Sequence, residues 1–111
     1  MKLLTRTEFK DRVFQRDNHK CVACNHPCVD AHHILDRKLF PDGGYYLDNG
    51  VSLCSDCHLK AEYSEFSCEL LRELAKIDVT ILPPDYDSSC TYDKWGNVLS
   101  PCSSEARAAV L

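Results

Sequence analysis

Two cysteine pairs carry the first chemical signal in this sequence: Cys21-Val-Ala-Cys24 and Cys54-Ser-Asp-Cys57, separated by 29 residues. A two-residue spacer lets a tight knuckle aim both sulfurs at one ion. Four thiolates around one Zn²⁺ make a closed tetrahedral site of the structural kind. The separation exceeds the usual zinc-ribbon spacing, so the insert must be a structured unit itself. A thioredoxin-like redox pair would use a single CxxC in a βαβ setting, which the sequence lacks. Cys28, Cys68, Cys90 and Cys102 follow no pairing pattern and read as bystanders. Among them Cys28, like His26, is spaced to compete as a ligand. Cys68 reads as a small buried side chain.

The second signal is Asp30-Ala31-His32-His33-Ile34. In a strand, consecutive side chains face opposite sides. Adjacent histidines then do not easily serve one metal, but they can flank one substrate in two different roles. His58 directly follows the last cysteine and opens a helical stretch, from which it can face the histidine strand. Asn49 lies nine residues before it. His19 and His26 read as ordinary surface or core histidines.

Local patterns predict the elements that must position these groups. Thr5 and Glu8 form a capping box, with Leu4 and Phe9 as its hydrophobic staple, for a helix over Arg6–Arg16. Asn25 suits a left-handed turn after the first knuckle. Val29–Leu35 reads as a strand, 39–48 as a loop, Asn49-Gly50 as a turn signal and Val51–Leu53 as a second strand. A helix follows from Ser55 to about Tyr63. The middle of the chain is therefore a ββα unit. Leu70, Leu71, Leu74 and Ile77 recur at helical spacing, with Ser67 as cap and Phe66 against Leu71 as staple. Pro83-Pro84 closes a compact unit over 1–84, whose core is 20–63. Residues 85–111 read as an extended or hairpin arm, dispensable for chemistry, in which Tyr92, Trp95 or the Trp-Gly-Asn turn is placed to pack on the core, pair with a second subunit or stack on a base, with packing favoured.

The composition excludes collagen, coiled coil and wholesale disorder. The formal charge is −4, distributed unevenly. Residues 1–60 hold nine Lys/Arg and eight Asp/Glu, and residues 61–111 hold four against nine. A phosphate-binding face therefore belongs to the first half. No apolar run approaches the ~20 residues of a membrane span, and Met1–Leu4 leads into charged residues instead of a signal-peptide segment. The expected setting is a reducing one, the cytoplasm, where thiols bind metals more often than they form disulfides.

The order CxxC … His-His-Ile … Asn-Gly-Val-Ser-Leu-Cys-Ser-Asp-Cys-His over about residues 20–60 resembles the zinc-stapled branch of the HNH endonucleases, the ββα-metal nucleases of phages and mobile elements. The resemblance implies an α+β fold with a small treble-clef-like ββα-metal core and a structural zinc, flanked by an N-terminal helix and a C-terminal packing helix. It implies His33 as general base and His32 and His58 as ligands of a catalytic divalent cation. Asn49 would pin the loop that orients the base. Some members carry a third metal histidine four residues after the position of His58. This chain has Glu62 there, a harder ligand suited to Mg²⁺ or Mn²⁺. Asp30 is placed to hold a ligand histidine in its tautomer.

The chemistry asked of such a site is consistent with these residue types. A neutral imidazole with pKa near ~6.5 is a suitable base at neutral pH. One divalent cation can stabilise charge on the phosphoryl and leaving oxygens. Arg37, Lys38 and Lys60 are candidate phosphate contacts. The expected partner is DNA, double-stranded, with RNA also open, and cutting both strands would suggest a homodimer or sequential nicks. The reading from another class is a non-catalytic zinc module that binds nucleic acid or protein, and His33 separates the two. A pure zinc module has no use for it.

Overall fold

The computed structural model describes residues 2–100. It is a small α+β arrangement of three helices and two two-stranded antiparallel sheets. Helix α1 spans Arg6–Arg16. Its start follows from the sequence: the Thr5 hydroxyl accepts from the Glu8 amide at 3.1 Å, and the Glu8 carboxylate accepts from the Thr5 amide at 3.0 Å. These bonds use two of the amides that a helix start leaves without partners. Leu4 and Phe9 meet as the staple and, with Val13, form a small apolar cluster against Ala31, Tyr45 and Leu47.

Strand β1 is Asp30–His33 and pairs antiparallel with β2, Gly50–Leu53, so that His32 opposes Val51 and His33 opposes Gly50. β1 is shorter at both ends than the predicted Val29–Leu35. At its C-terminal end the reason is Asn49. The Asn49 carbonyl accepts from the Ile34 amide at 2.8 Å, and its side chain occupies both main-chain groups of Leu35. Asn49-Gly50 closes a turn as its residue types suggest: Leu47–Asn49 form one 3-10 turn and the Gly50 amide donates to the Leu47 carbonyl. Gly50 answers a further need: a Cβ there would lie 2.5 Å from Cζ of Phe9 and 2.7 Å from Val13. The glycine lets α1 lie directly on β2.

The end of α1 is clamped to the same strand. Arg16 pairs through two nitrogens with Asp17 and donates to the carbonyls of Leu47 and Gly50, while Asp17 accepts from the Ser52 amide. Charge-assisted, multi-pronged bonds of this kind fix geometry as well as adding energy.

Helix α2, Ser55–Glu62, starts directly after β2, with Cys54 as its N-cap. Helix α3, Cys68–Leu74, is capped by Ser67, whose hydroxyl accepts from the Leu70 amide at 3.0 Å. Its buried face differs from the leucine stripe predicted. Cys68, Leu71, Arg72 and Ala75 point inward, whereas Leu70 and Leu74 are exposed. The i, i+3, i+4, i+7 period is kept but rotated. The main core gathers Ile34, Leu35, Val51, Leu53, Ala61, Leu71, Ile81 and Tyr92.

The segment after Pro84 packs back onto this core. Strands β3, Thr91–Tyr92, and β4, Val98–Ser100, form a hairpin in which Tyr92 is buried and accepts from the Asp87 amide through its hydroxyl. Trp95 is 46% exposed, against the expectation that it packs. Cys90, read as a bystander, is disulfide-bonded, and Cys102 lies outside the described residues. No helix among the described residues is long and apolar enough to cross a membrane.

Candidate functional site

The four cysteines of the two CxxC pairs converge. Their Sγ atoms lie within 4.8 Å of one another, with Cys24 and Cys54 3.5 Å apart. The first pair sits on a tight knuckle, in which the Cys21 amide donates to the His26 carbonyl and the Asn25 amide to the Cys21 carbonyl. Asn25 takes φ +69°, the left-handed conformation its type tolerates. The second pair brackets the start of α2. Cys21 and Cys57 are buried, Cys24 is exposed and Cys54 lies between.

Burial alone would raise the Cys21 thiol, but hydrogen bonds from the main chain of Cys54, Cys24 and Ala23 outweigh it and bring the pKa down to about 7. Burial and the neighbouring thiols push Cys57 upward. Four sulfurs this close, with one already biased to the thiolate, form a group that could hold a metal ion such as zinc. Cys28 is not among the four, and His26 lies beside them with Nδ1 3.1 Å from the Cys24 sulfur.

The second constellation lies in an open cleft of about 660 Å³ between α1, β1 and α2. Strand alternation separates the histidine pair. His32 turns toward α2, where its ring centroid is 5.0 Å from that of His58. His33 turns toward α1, stacked on Phe9 at 4.6 Å and edge-on to Tyr45 at 5.0 Å. On the α2 side a single oxygen, Glu62 Oε1, lies 3.0 Å from Nε2 of His58 and 3.8 Å from Nδ1 of His32. His32, His58 and Glu62 thus offer three ligand atoms within 4.8 Å of one another. The other nitrogen of His58 is 2.9 Å from Asp30 Oδ2. The ligand histidine that Asp30 serves is therefore His58, on α2.

Both strand histidines are neutral at physiological pH. His32 is 2% exposed, and burial drives its pKa down to about 2, with Lys94, His58 and His33 adding to the shift. Burial also brings His33 down to about 4, assisted by Lys94 and Arg37 and opposed by Asp36 and the Gly43 main chain. Nε2 of each ring is buried without a hydrogen-bond partner. The nitrogen that His32 turns toward Glu62 is Nδ1, and the Gly43 main chain is a hydrogen-bonding neighbour of the His33 ring.

Asn49 is 1% exposed and acts as a three-way bridge. Its Oδ1 accepts from the Leu35 amide at 3.1 Å, and its Nδ2 donates to the carbonyls of Leu35 at 3.1 Å and Gly44 at 3.2 Å. It ties the loop over Tyr45 to the end of the histidine strand. Asn49→Ala leaves the two buried main-chain groups of Leu35 without partners, while the Gly44 carbonyl keeps its bond from the Tyr46 amide, and is expected to cost about 1–3 kcal/mol, read from the shift of a urea unfolding midpoint. An unchanged midpoint would show that the bridge does not hold this loop.

Of the expected phosphate contacts, Arg37 lines the cleft and Lys38 and Lys60 do not. Arg6, Lys10 and Lys94 do line it, and the sequence reading assigned none of them to a site. Arg6 and Lys10 stand four apart on α1, so the capping box that fixes the helix start, together with the staple that turns Phe9 inward, would have pointed to them. Nothing local points to Lys94, 61 residues beyond His33.

No protein-family model, curated protein or solved structure matches the chain. Fold and site together define a small α+β protein with a four-cysteine group and, beside it, a histidine–carboxylate cleft.

Proposed function

We propose that this chain is a metal-dependent endonuclease of the HNH type that hydrolyses DNA phosphodiester bonds. The observation that carries the reading is the split of the histidine pair. One strand delivers His32 to His58 and Glu62 on one face and His33, unencumbered by ligands, on the other, with both lining one cleft. A non-catalytic zinc module would account for the cysteines but leaves this second constellation without work. In this reading the four-cysteine group holds a structural zinc, in a treble-clef-like arrangement of one knuckle and one helix start.

The geometry supports the following division of roles. His32, His58 and Glu62 would hold Mg²⁺ or Mn²⁺, and their donor set of two imidazoles and a carboxylate fits such an ion. When bound, the ion supplies positive charge to the phosphoryl and leaving oxygens. Asp30, accepting from Nδ1–H of His58, leaves Nε2 free to face the ion. His33, neutral and fixed by Phe9 and Tyr45, takes the proton from the attacking water. The hydroxide adds to phosphorus, the bond to the 3′-oxygen breaks, that oxygen takes a proton from solvent water, and His33 returns its proton to solvent. The products are a 5′-phosphate and a 3′-hydroxyl. Arg6 and Lys10 on one bank and Arg37 on the other contact the flanking phosphates.

Purified protein should nick supercoiled plasmid with Mg²⁺ or Mn²⁺ and stop in EDTA. Reversing Arg6 and Lys10 to glutamate should weaken duplex binding and reduce the salt slope by about one per lost phosphate contact. The same reversal of Lys38 and Lys60 should leave binding near wild type. Intact plasmid and duplex across several divalent metals would remove the nuclease reading, and cleavage confined to RNA would change its substrate.

A further inference from the structure

The hairpin of β3 and β4 is built around one inward-pointing ammonium. Asp93 organises the turn: its carboxylate accepts from the amides of Trp95 and Asn97 and from the Asn97 side chain, and its carbonyl accepts from the Gly96 amide. Gly96 adopts φ +86°, and a Cβ there would lie 2.5 Å from the Tyr86 hydroxyl. That turn delivers Lys94, only 6% exposed, into the cleft. Its Nζ donates to the His33 carbonyl at 3.1 Å and lies 3.6 Å from Asp36 Oδ1 and 3.9 Å from Glu62 Oε1. Its own carbonyl accepts from the Asp36 amide at 2.9 Å. The Trp95 ring lies 5.1 Å from the ammonium.

Burying a lysine ammonium is costly unless it is paired, and here the pairing spans the two halves of the cleft. The carbonyl it grips belongs to His33. The carboxylate oxygen it faces is the one shared by His58 and His32. The geometry points to Lys94 as a positioning residue, which holds the His33 end of β1 in register with α2 and tempers the affinity of the His32–His58–Glu62 group for a divalent cation. This inference rests on the metal-dependent nuclease reading and adds to it a residue from the segment after Pro84.

The two effects have opposite signs, which makes them separable from simple damage. Removing the ammonium takes a like charge away from the ion's place, so the cation should bind more tightly. It also frees the His33 carbonyl, so the base drifts and chemistry slows. In zinc-loaded full-length protein, K94M should lower the Mn²⁺ dissociation constant by about tenfold at low salt, by calorimetric titration. Its kcat should fall by about 10–100-fold, with KM changed by less than about threefold. K94R, which retains the charge, should return Mn²⁺ affinity to the wild-type value and recover part of kcat. If K94M does not fold, K94Q removes the charge while keeping a donor for the His33 carbonyl, and the same tightening of Mn²⁺ is expected of it.

Unchanged or weaker Mn²⁺ affinity in the uncharged variants, or an unchanged kcat, overturns the proposal. General loosening of the fold would weaken metal binding and catalysis together. Wild-type protein that binds Mn²⁺ but leaves DNA intact removes the nuclease reading, and the titration alone then decides the role of Lys94. Wild-type protein that binds no Mn²⁺ beyond its zinc overturns the role of Lys94 as well.

Discussion

His33→Ala is expected to lower the rate of DNA cleavage by ~10²–10⁴-fold, the usual worth of a positioned general base, while Mn²⁺ affinity stays near wild type. The expectation follows from which side of β1 each ring occupies. His33 stacks on Phe9 at 4.6 Å and meets Tyr45 at 5.0 Å, away from the group formed by His32, His58 and Glu62. Removing it leaves His32, His58 and Glu62 in place. His32→Ala and His58→Ala should instead weaken Mn²⁺ binding, so part of their activity should return at high Mn²⁺. Added metal repairs a deficit of occupancy but cannot supply a missing proton acceptor. Asn49→Ala should fall between, because it misorients the base without deleting it. Calorimetric titration beside single-turnover cleavage for the four variants decides the matter. If His33→Ala loses Mn²⁺ affinity as severely as His58→Ala, or regains full rate in excess Mn²⁺, the roles within the pair must be exchanged.

Cys57→Ser is expected to abolish stable folding. Cys57 is 5% exposed and belongs to both the sulfur group and the apolar core, so its loss acts on both. Structural zinc contributes apparent free energies of roughly 10–16 kcal/mol in zinc-finger peptides. That is as large as the whole net stability of an ordinary domain, about 5–15 kcal/mol. The four sulfurs tie the knuckle before β1 to the start of α2, and α2 in turn carries His58 and Glu62. Wild-type protein should retain close to one zinc per chain after dialysis, and strong chelation should collapse its cooperative melt. Cys28→Ser, outside the sulfur group, should retain the zinc and the melt. A soluble, cooperatively melting, zinc-free Cys57→Ser protein would remove the structural-zinc claim.

The interactions the sequence determined by itself are those that close within a few residues. Thr5 and Glu8 cap α1, Ser67 caps α3, and Asn25 turns the first knuckle, each through bonds to main chain at most four residues away. Strand alternation alone required His32 and His33 to part, and a helical step of four placed Glu62 beneath His58. The convergence of the two CxxC pairs was legible because thiol spacing has few other uses. Tertiary structure decided what depends on where distant loops land. It set the rotation of α3 that buries Cys68 and Ala75 and leaves Leu74 exposed. It made Gly50 the place where Phe9 lies directly on β2, besides the end of a turn. It gave Asp30 to His58 on α2 and brought Lys94 to His33 over 61 residues of chain. Hydrophobic period and capping report local geometry, whereas an ion pair between remote segments has no sequence period: it exists only once packing has fixed both ends. In this chain the cleft holding those ends forms where α1, the histidine strand, α2 and the C-terminal hairpin meet.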